Sequence, residues 1–215
     1  MADIVMRRSC RLRKLGVAFV CFGFASIIAH AEAGLSSCYP LLKLEVPEHS
    51  ETELFVVIDQ TTPFDDTLRQ SVADNLRPFL KPGQAFSILQ FSAFTQGRYA
   101  QVLVSARLDA DLSSGKRNEI PKPQLARFDA CLKTQPTLAA NLAGAALRKT
   151  FGDASTDIAK SDVMASLRDL SGRVRQSGAH RKIVLVASDM LENSSVSSFY
   201  FDGAVRQINP DNEMK

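Results

Sequence analysis

Two short runs of uninterrupted apolar residues, Leu54-Phe55-Val56-Val57-Ile58 and Ile183-Val184-Leu185-Val186-Ala187, constrain this chain more than any other feature. Neither run alternates apolar with polar residues, so each reads as a strand buried on both faces, as in a parallel sheet covered by helices. Both end the same way, the first on Asp59 and the second on Ser188-Asp189. The segments between them carry helical periodicity. Buried strands that alternate with amphipathic helices predict an α/β fold, doubly wound, with a mainly parallel sheet, an antiparallel edge strand and helices on both faces.

The intervening segments fill in that frame. After Asp59, Thr62 offers an N-cap oxygen, Pro63 suits a first helical position, and Asp65 and Asp66 suit the positive end of a helix. Leu68, Val72, Leu76 and Phe79 then form one stripe, which Pro78 and Lys81-Pro82-Gly83 close. Residues 85–91 and 99–108 predict two strands joined by a polar turn at Gly97, a hairpin added to the sheet. Residues 109–136 are rich in Gly, Pro and charge and predict an insertion or long loop, with a short helix over 124–132. Helices are predicted over 139–149 and 158–176, the second with Val163, Leu167, Leu170 and Val174 on one stripe. Beyond Asp189 no further buried strand is evident, and Phe199-Tyr200-Phe201 reads either as a buried plug or as an exposed anchor for a protein partner.

The amino terminus reads as an address. Residues 1–14 are basic, residues 15–29 are an uncharged run, and Ala29-His30-Ala31 has the small-x-small pattern of a signal-peptidase site, with Ala31-Glu32-Ala33 as a second. The run is short of the roughly 20 apolar residues of a membrane span. The domain reading is therefore a signal peptide at 1–31, a lead-in at 32–53 and an α/β domain at 54–215. Export of the Sec type follows, to the periplasm or outside the cell, with no stable membrane insertion after cleavage. Five bases (Arg7, Arg8, Arg11, Arg13, Lys14) leave with the signal, so the remainder carries 21 bases against 22 acids. A nearly neutral chain gives no support to phosphate-tracking contacts, and no nucleic-acid partner is expected. Only Cys38 and Cys131 remain after cleavage. In an oxidising compartment they suggest one disulfide; two separate thiols, or lipidation of Cys38 within Leu35-Ser36-Ser37-Cys38, are the alternatives.

Ligands of open α/β sheets bind beyond the carboxyl ends of the strands. Asp59 and Asp189 both fall at such ends, so if their strands are neighbours the two carboxylates face one crevice. Thr61, Thr62, Asn141 and Ser188 offer further oxygens of the kind Mg²⁺ uses. Plain capping of a turn or helix accounts for the same aspartates.

This pattern resembles the von Willebrand factor type A domain over roughly residues 54–193. The likeness rests on the apolar strand with Asp59-Gln60-Thr61-Thr62-Pro63, on Asn141-Leu142-Ala143-Gly144-Ala145-Ala146-Leu147, and on Lys182 through Asp189. It implies a metal-ion-dependent adhesion site that binds Mg²⁺ or Mn²⁺ through Asp59, Thr61, Asn141 and Asp189, and a role in binding a protein partner without catalysis. Thr61 stands for the family's first Ser, Pro63 replaces the second and has no side-chain oxygen, and Asn141 falls near the family's Thr, with Thr137 as a less well-spaced alternative. The family continues with another helix and strand after the Asp189 position, so either this sequence is a fragment or its sheet is one strand smaller, with apolar surface left at an edge. A metal-free scaffold, or a structural subunit of an envelope complex, is the alternative within the same class. An enzyme of haloacid dehalogenase-like kind would use Asp59 as a nucleophile with Mg²⁺, but the acid expected two residues on is Thr61. His49 and His180 lack metal-ligand spacing, and no Gly-rich phosphate loop, nucleophile elbow or C-x-x-C pair occurs.

Overall fold

The first apolar run forms the centre of strand β1 (Thr52–Asp59) and the second forms β4 (Arg181–Ala187). Between them the chain adds helix α1 (Asp66–Leu76), the hairpin β2 (Gln84–Thr95) and β3 (Arg98–Arg107), a short α2 (Ser114–Asn118), a long α3 (Lys122–Asp153) and α4 (Val163–Gln176). The structure, a computed structural model, describes residues 34–95, 98–154, 160–202 and 204–213, all within the compact unit Glu32–Lys215. The signal segment 1–31, the turn at Gly97 and Ile158 lie outside the described residues, and the helix expected over 158–176 begins only at Val163, because Ser161 is held in a β-bridge to Asn193.

The sheet order is β3-β2-β1-β4, with β1 parallel to both neighbours and only β3 antiparallel. An α/β fold with a mixed, mostly parallel sheet is thus in place, and its order matches the first four positions of an open doubly wound sheet. Successive side chains of β1 point to opposite faces. Leu54, Val56 and Ile58 join a core with Val72, Leu76, Ala139, Ala143 and Leu147, whereas Phe55 and Val57 join another with Leu89, Phe91, Val163 and Leu170. Helices α1 and α3 therefore cover one face and α4 the other.

Two expectations about helices are corrected. Thr62 and Pro63 do not open α1; Asp65 caps it, accepting from the Leu68 N–H at 2.8 Å. The chain first takes an extended step that buries Phe64 against Phe151, ring centroids 5.2 Å apart, and this packing delays the helix. Likewise residues 109–136 are not a long loop with a separate short helix. α3 runs unbroken through Pro136. Proline inside a helix removes one backbone bond and costs about 3 kcal/mol or more. Here Phe128, Leu132, Gln135, Ala139, Ala143 and Leu147 form one buried stripe across the proline, so the tertiary gain of keeping both halves coaxial outweighs the local penalty.

Cys38 and Cys131 are joined in a disulfide, Cα atoms 5.9 Å apart, among Tyr39, Leu42, Phe128 and Leu132. Disulfides persist in oxidising compartments. Among the described residues no helix is long and apolar enough to cross a membrane.

Candidate functional site

The crevice of an open sheet opens where the strand order reverses, here between β1 and β4. Register decides what meets there. Ile58 pairs with Ala187, so the position opposite Asp59 is Ser188, and Asp189 falls one residue beyond. Because side chains alternate, it is the Ser188 hydroxyl rather than the Asp189 carboxylate that turns to Asp59.

The Asp59 carboxylate has no exposed surface. Its Oδ1 accepts from the Thr61 N–H at 2.9 Å and the Thr61 hydroxyl at 2.6 Å, and its Oδ2 accepts from the Ser188 hydroxyl at 2.7 Å and the Ser161 hydroxyl at 3.4 Å. Four donors occupy the acceptor directions of one carboxylate. The neighbouring Gln60, also buried, donates from Nε2 to the Thr150 carbonyl at 3.1 Å and ties the strand end to the last turn of α3. Asp189 is exposed; its Oδ1 accepts from the Leu191 N–H at 2.9 Å, and its own N–H reaches the Thr62 hydroxyl at 3.4 Å.

The loop after Asp189 is fastened to α4. Asp162 caps that helix through the Ala165 N–H, and the buried Glu192 accepts from the Met164 N–H at 3.1 Å, so two carboxylates serve the N-terminal donors. Ser161 and Asn193 exchange backbone bonds of 3.2 and 2.8 Å, which holds the Ser161 hydroxyl beside Asp59. From there the chain forms a small antiparallel ribbon, β5 (Tyr200–Phe201) with β6 (Ala204–Val205), followed by α5 (Pro210–Glu213). Burial first, then the charges of Asp189 and Asp59, push the Tyr200 phenol above its ordinary pKa.

Of the four residues expected to hold a cation, the fold brings Asp59 and Thr61 together and carries Asp189 nearby. Asn141 lies apart. It is nine residues before Thr150 on α3, roughly 13 Å along the helix, where it lines a mainly apolar groove with Leu76, Leu80 and Leu147. Among the described residues no three His, Cys, Asp or Glu side chains gather as metal ligands. A divalent ion at Asp59 would have to break hydroxyl bonds already made to a carboxylate with no open face, so the residues present do not fit one. The arrangement can fasten β1, β4 and the Ser161 loop to one another, and can offer apolar contact and hydrogen bonds above them. The rim roles of Ser161, Gln60 and Glu192 were not read from the sequence: Ser161 falls in the segment expected to be helical, Gln60 stands inside the Asp59-Gln60-Thr61 motif without a role of its own, and Glu192 has no recognisable spacing to Asp59.

Fold and rim together define an α/β protein with a mixed sheet and a hydroxyl-enclosed carboxylate at its switch point. Compared with protein-family models, curated proteins and solved structures, the chain matches none of them.

Proposed function

We propose that this chain is an exported, non-enzymatic protein-binding module, similar to von Willebrand type A domains, that takes its partner on the strand-end rim without a resident cation. One observation carries the reading. Met164 on α4 and Met190, Val196, Tyr200, Phe201 and Val205 on the segment that follows β4 stand exposed, Phe201 at 70% and Val196 at 92%. Exposed apolar side chains grouped on one feature mark interaction sites, and aromatic and methionine side chains are those enriched at the centre of interfaces. Support for the type A likeness comes from the order of elements, the antiparallel edge strand and the adjacency of the two acid-ended strands. Export is supported by the basic-then-apolar amino terminus and by the disulfide.

The test places a photo-crosslinking residue at Val205, and as a control at the exposed Arg127 on α3, in cells that express the whole sequence. A discrete partner should be captured from the envelope fraction through position 205 and not through 127. Phe201→Asp should lower that capture about tenfold or more while changing unfolding free energy by less than about 0.5 kcal/mol, as an exposed position implies. Equal capture at the two positions, or indifference to Phe201→Asp, counts against the rim.

A further inference from the structure

The two edges of the sheet are built differently. β3 is irregular, with register shifts between Ile88 and Leu89 and between Phe91 and Thr95 of its partner β2, and both α3 and α4 lie against it. Bulges and covering helices are the ordinary means of blocking an edge. β4 has neither. It pairs regularly with β1 and carries no proline.

Its faces are also unequal. Ile183, Leu185 and Ala187 pack on the core beneath α1 and α3, but on the α4 side the core stops at Phe55 and Val57 of β1. Their register partners Val184 and Val186 are left outside it, and Val184 is 41% exposed in the middle of the strand. The backbone is oriented to match. Arg181 donates its N–H to Glu51, and in a parallel pair alternate residues turn toward the same neighbour. Residues 183, 185 and 187 therefore follow Arg181 toward β1, and 182, 184 and 186 aim N–H and C=O groups outward.

We propose that β4 pairs antiparallel with β4 of a second copy of this chain, about a two-fold axis through Val184, joining two four-stranded sheets into one. Charge selects this occupant and this direction. The strand begins with Arg181 and Lys182, both exposed, and is followed by the exposed Asp189. A parallel copy would set Lys182 near Lys182, whereas the antiparallel copy sets Ala187 opposite Arg181 and brings Asp189 diagonally within reach of the guanidinium, twice by symmetry. Lys182 then faces Val186, Val184 meets its own copy, and about six outward backbone bonds form. The exposed valines of both copies join in one stripe. The two rims point in opposite directions.

Sedimentation velocity on the whole chain, as a concentration series reaching about 100 µM, suits an interface of the small, transient class. Dimer is expected. Val184→Pro removes an outward N–H and spares the ladder to β1, a substitution edge strands accept, and it should leave monomer with the circular dichroism of the wild type. Val184→Lys should do the same and covers the case in which the proline variant does not fold. Arg181→Asp and Asp189→Arg should each weaken association about tenfold, and the two together should bring it back to near the wild-type value. A wild type that remains monomeric throughout, a dimer indifferent to both Val184 variants, or a double exchange that fails to restore association would overturn the proposal.

Discussion

Asp59→Ala lowers the free energy of unfolding by about 3–5 kcal/mol, the largest loss expected from a single substitution at the rim. The carboxylate is fully enclosed and accepts one backbone N–H and three hydroxyls from three separate parts of the chain. Hydrogen bonds to a charged group contribute about 1.5–3 kcal/mol each, and donors left without an acceptor in a buried site cost about 1–3 kcal/mol. Alanine removes every acceptor at once. Asparagine should cost less, about 1–2 kcal/mol, because a hydroxyl can turn to accept from the new amide while the fixed Thr61 N–H keeps an oxygen. Ser188→Ala should exceed Ser161→Ala, in the order of their 2.7 and 3.4 Å contacts. Denaturant titration gives these differences directly. The same experiment with Mg²⁺ separates a hydrogen-bonded latch from a cation site, since an ion held at a hundred times its dissociation constant would add about 2.7 kcal/mol. The latch predicts no gain. A wild type stabilised by Mg²⁺ and an Asp59→Asn protein blind to it would restore the metal.

What the sequence made legible, and what it hid, follows from the range of the forces involved. Both buried strands could be read because burial on two faces leaves an unbroken apolar run, a property of five adjacent residues. The acid at the end of β1 was equally visible. That Ser188 and not Asp189 meets it depends on register, which is fixed by which side chains of β1 and β4 share a core, so the two acids were expected to converge when one residue of offset keeps them apart. Asn141 was placed by analogy of position and lies on the groove side of a helix whose last turn, not its middle, reaches the site. Pro136 broke the predicted helix because the local rule is strong; the stripe that overrides it is legible only once Phe128 and Leu132 are known to share a core with the lead-in. The aromatic run 199–201 had two readings, and the exposure of Tyr200 and Phe201 counts against the buried plug. The hairpin edge strand was foreseen, as was the pairing of Cys38 with Cys131, the one long-range contact that residue counting can suggest.

That disulfide supplies the second large effect. Cys38→Ser combined with Cys131→Ser should lower unfolding free energy by about 4 kcal/mol, because opening a loop of 93 residues returns chain entropy to the unfolded ensemble. The folded lead-in has other holds. Asp109 is buried and accepts from the Ser37 hydroxyl at 3.0 and 2.9 Å, from the Cys38 N–H at 2.5 Å and from Gln135 Nε2 at 3.0 Å, while its own N–H donates to Gln135 Oε1 at 2.8 Å. Tyr39 packs edge-on against Phe128, centroids 5.5 Å apart. These contacts join the lead-in to the end of β3 and to α3 whether or not the sulfurs are bonded, so the native fold should survive with its near-ultraviolet dichroism intact. The denaturant slope decides where the loss arises. An unfolded chain freed of its crosslink exposes more surface, so m should rise as stability falls. Asp109→Ala offers the contrast, since it removes native bonds without touching the loop, and should cost about 2–4 kcal/mol at unchanged m. A serine pair that loses under about 1 kcal/mol, or loses stability with m unaltered, would mean that the bridge acts through native contacts rather than through the unfolded chain.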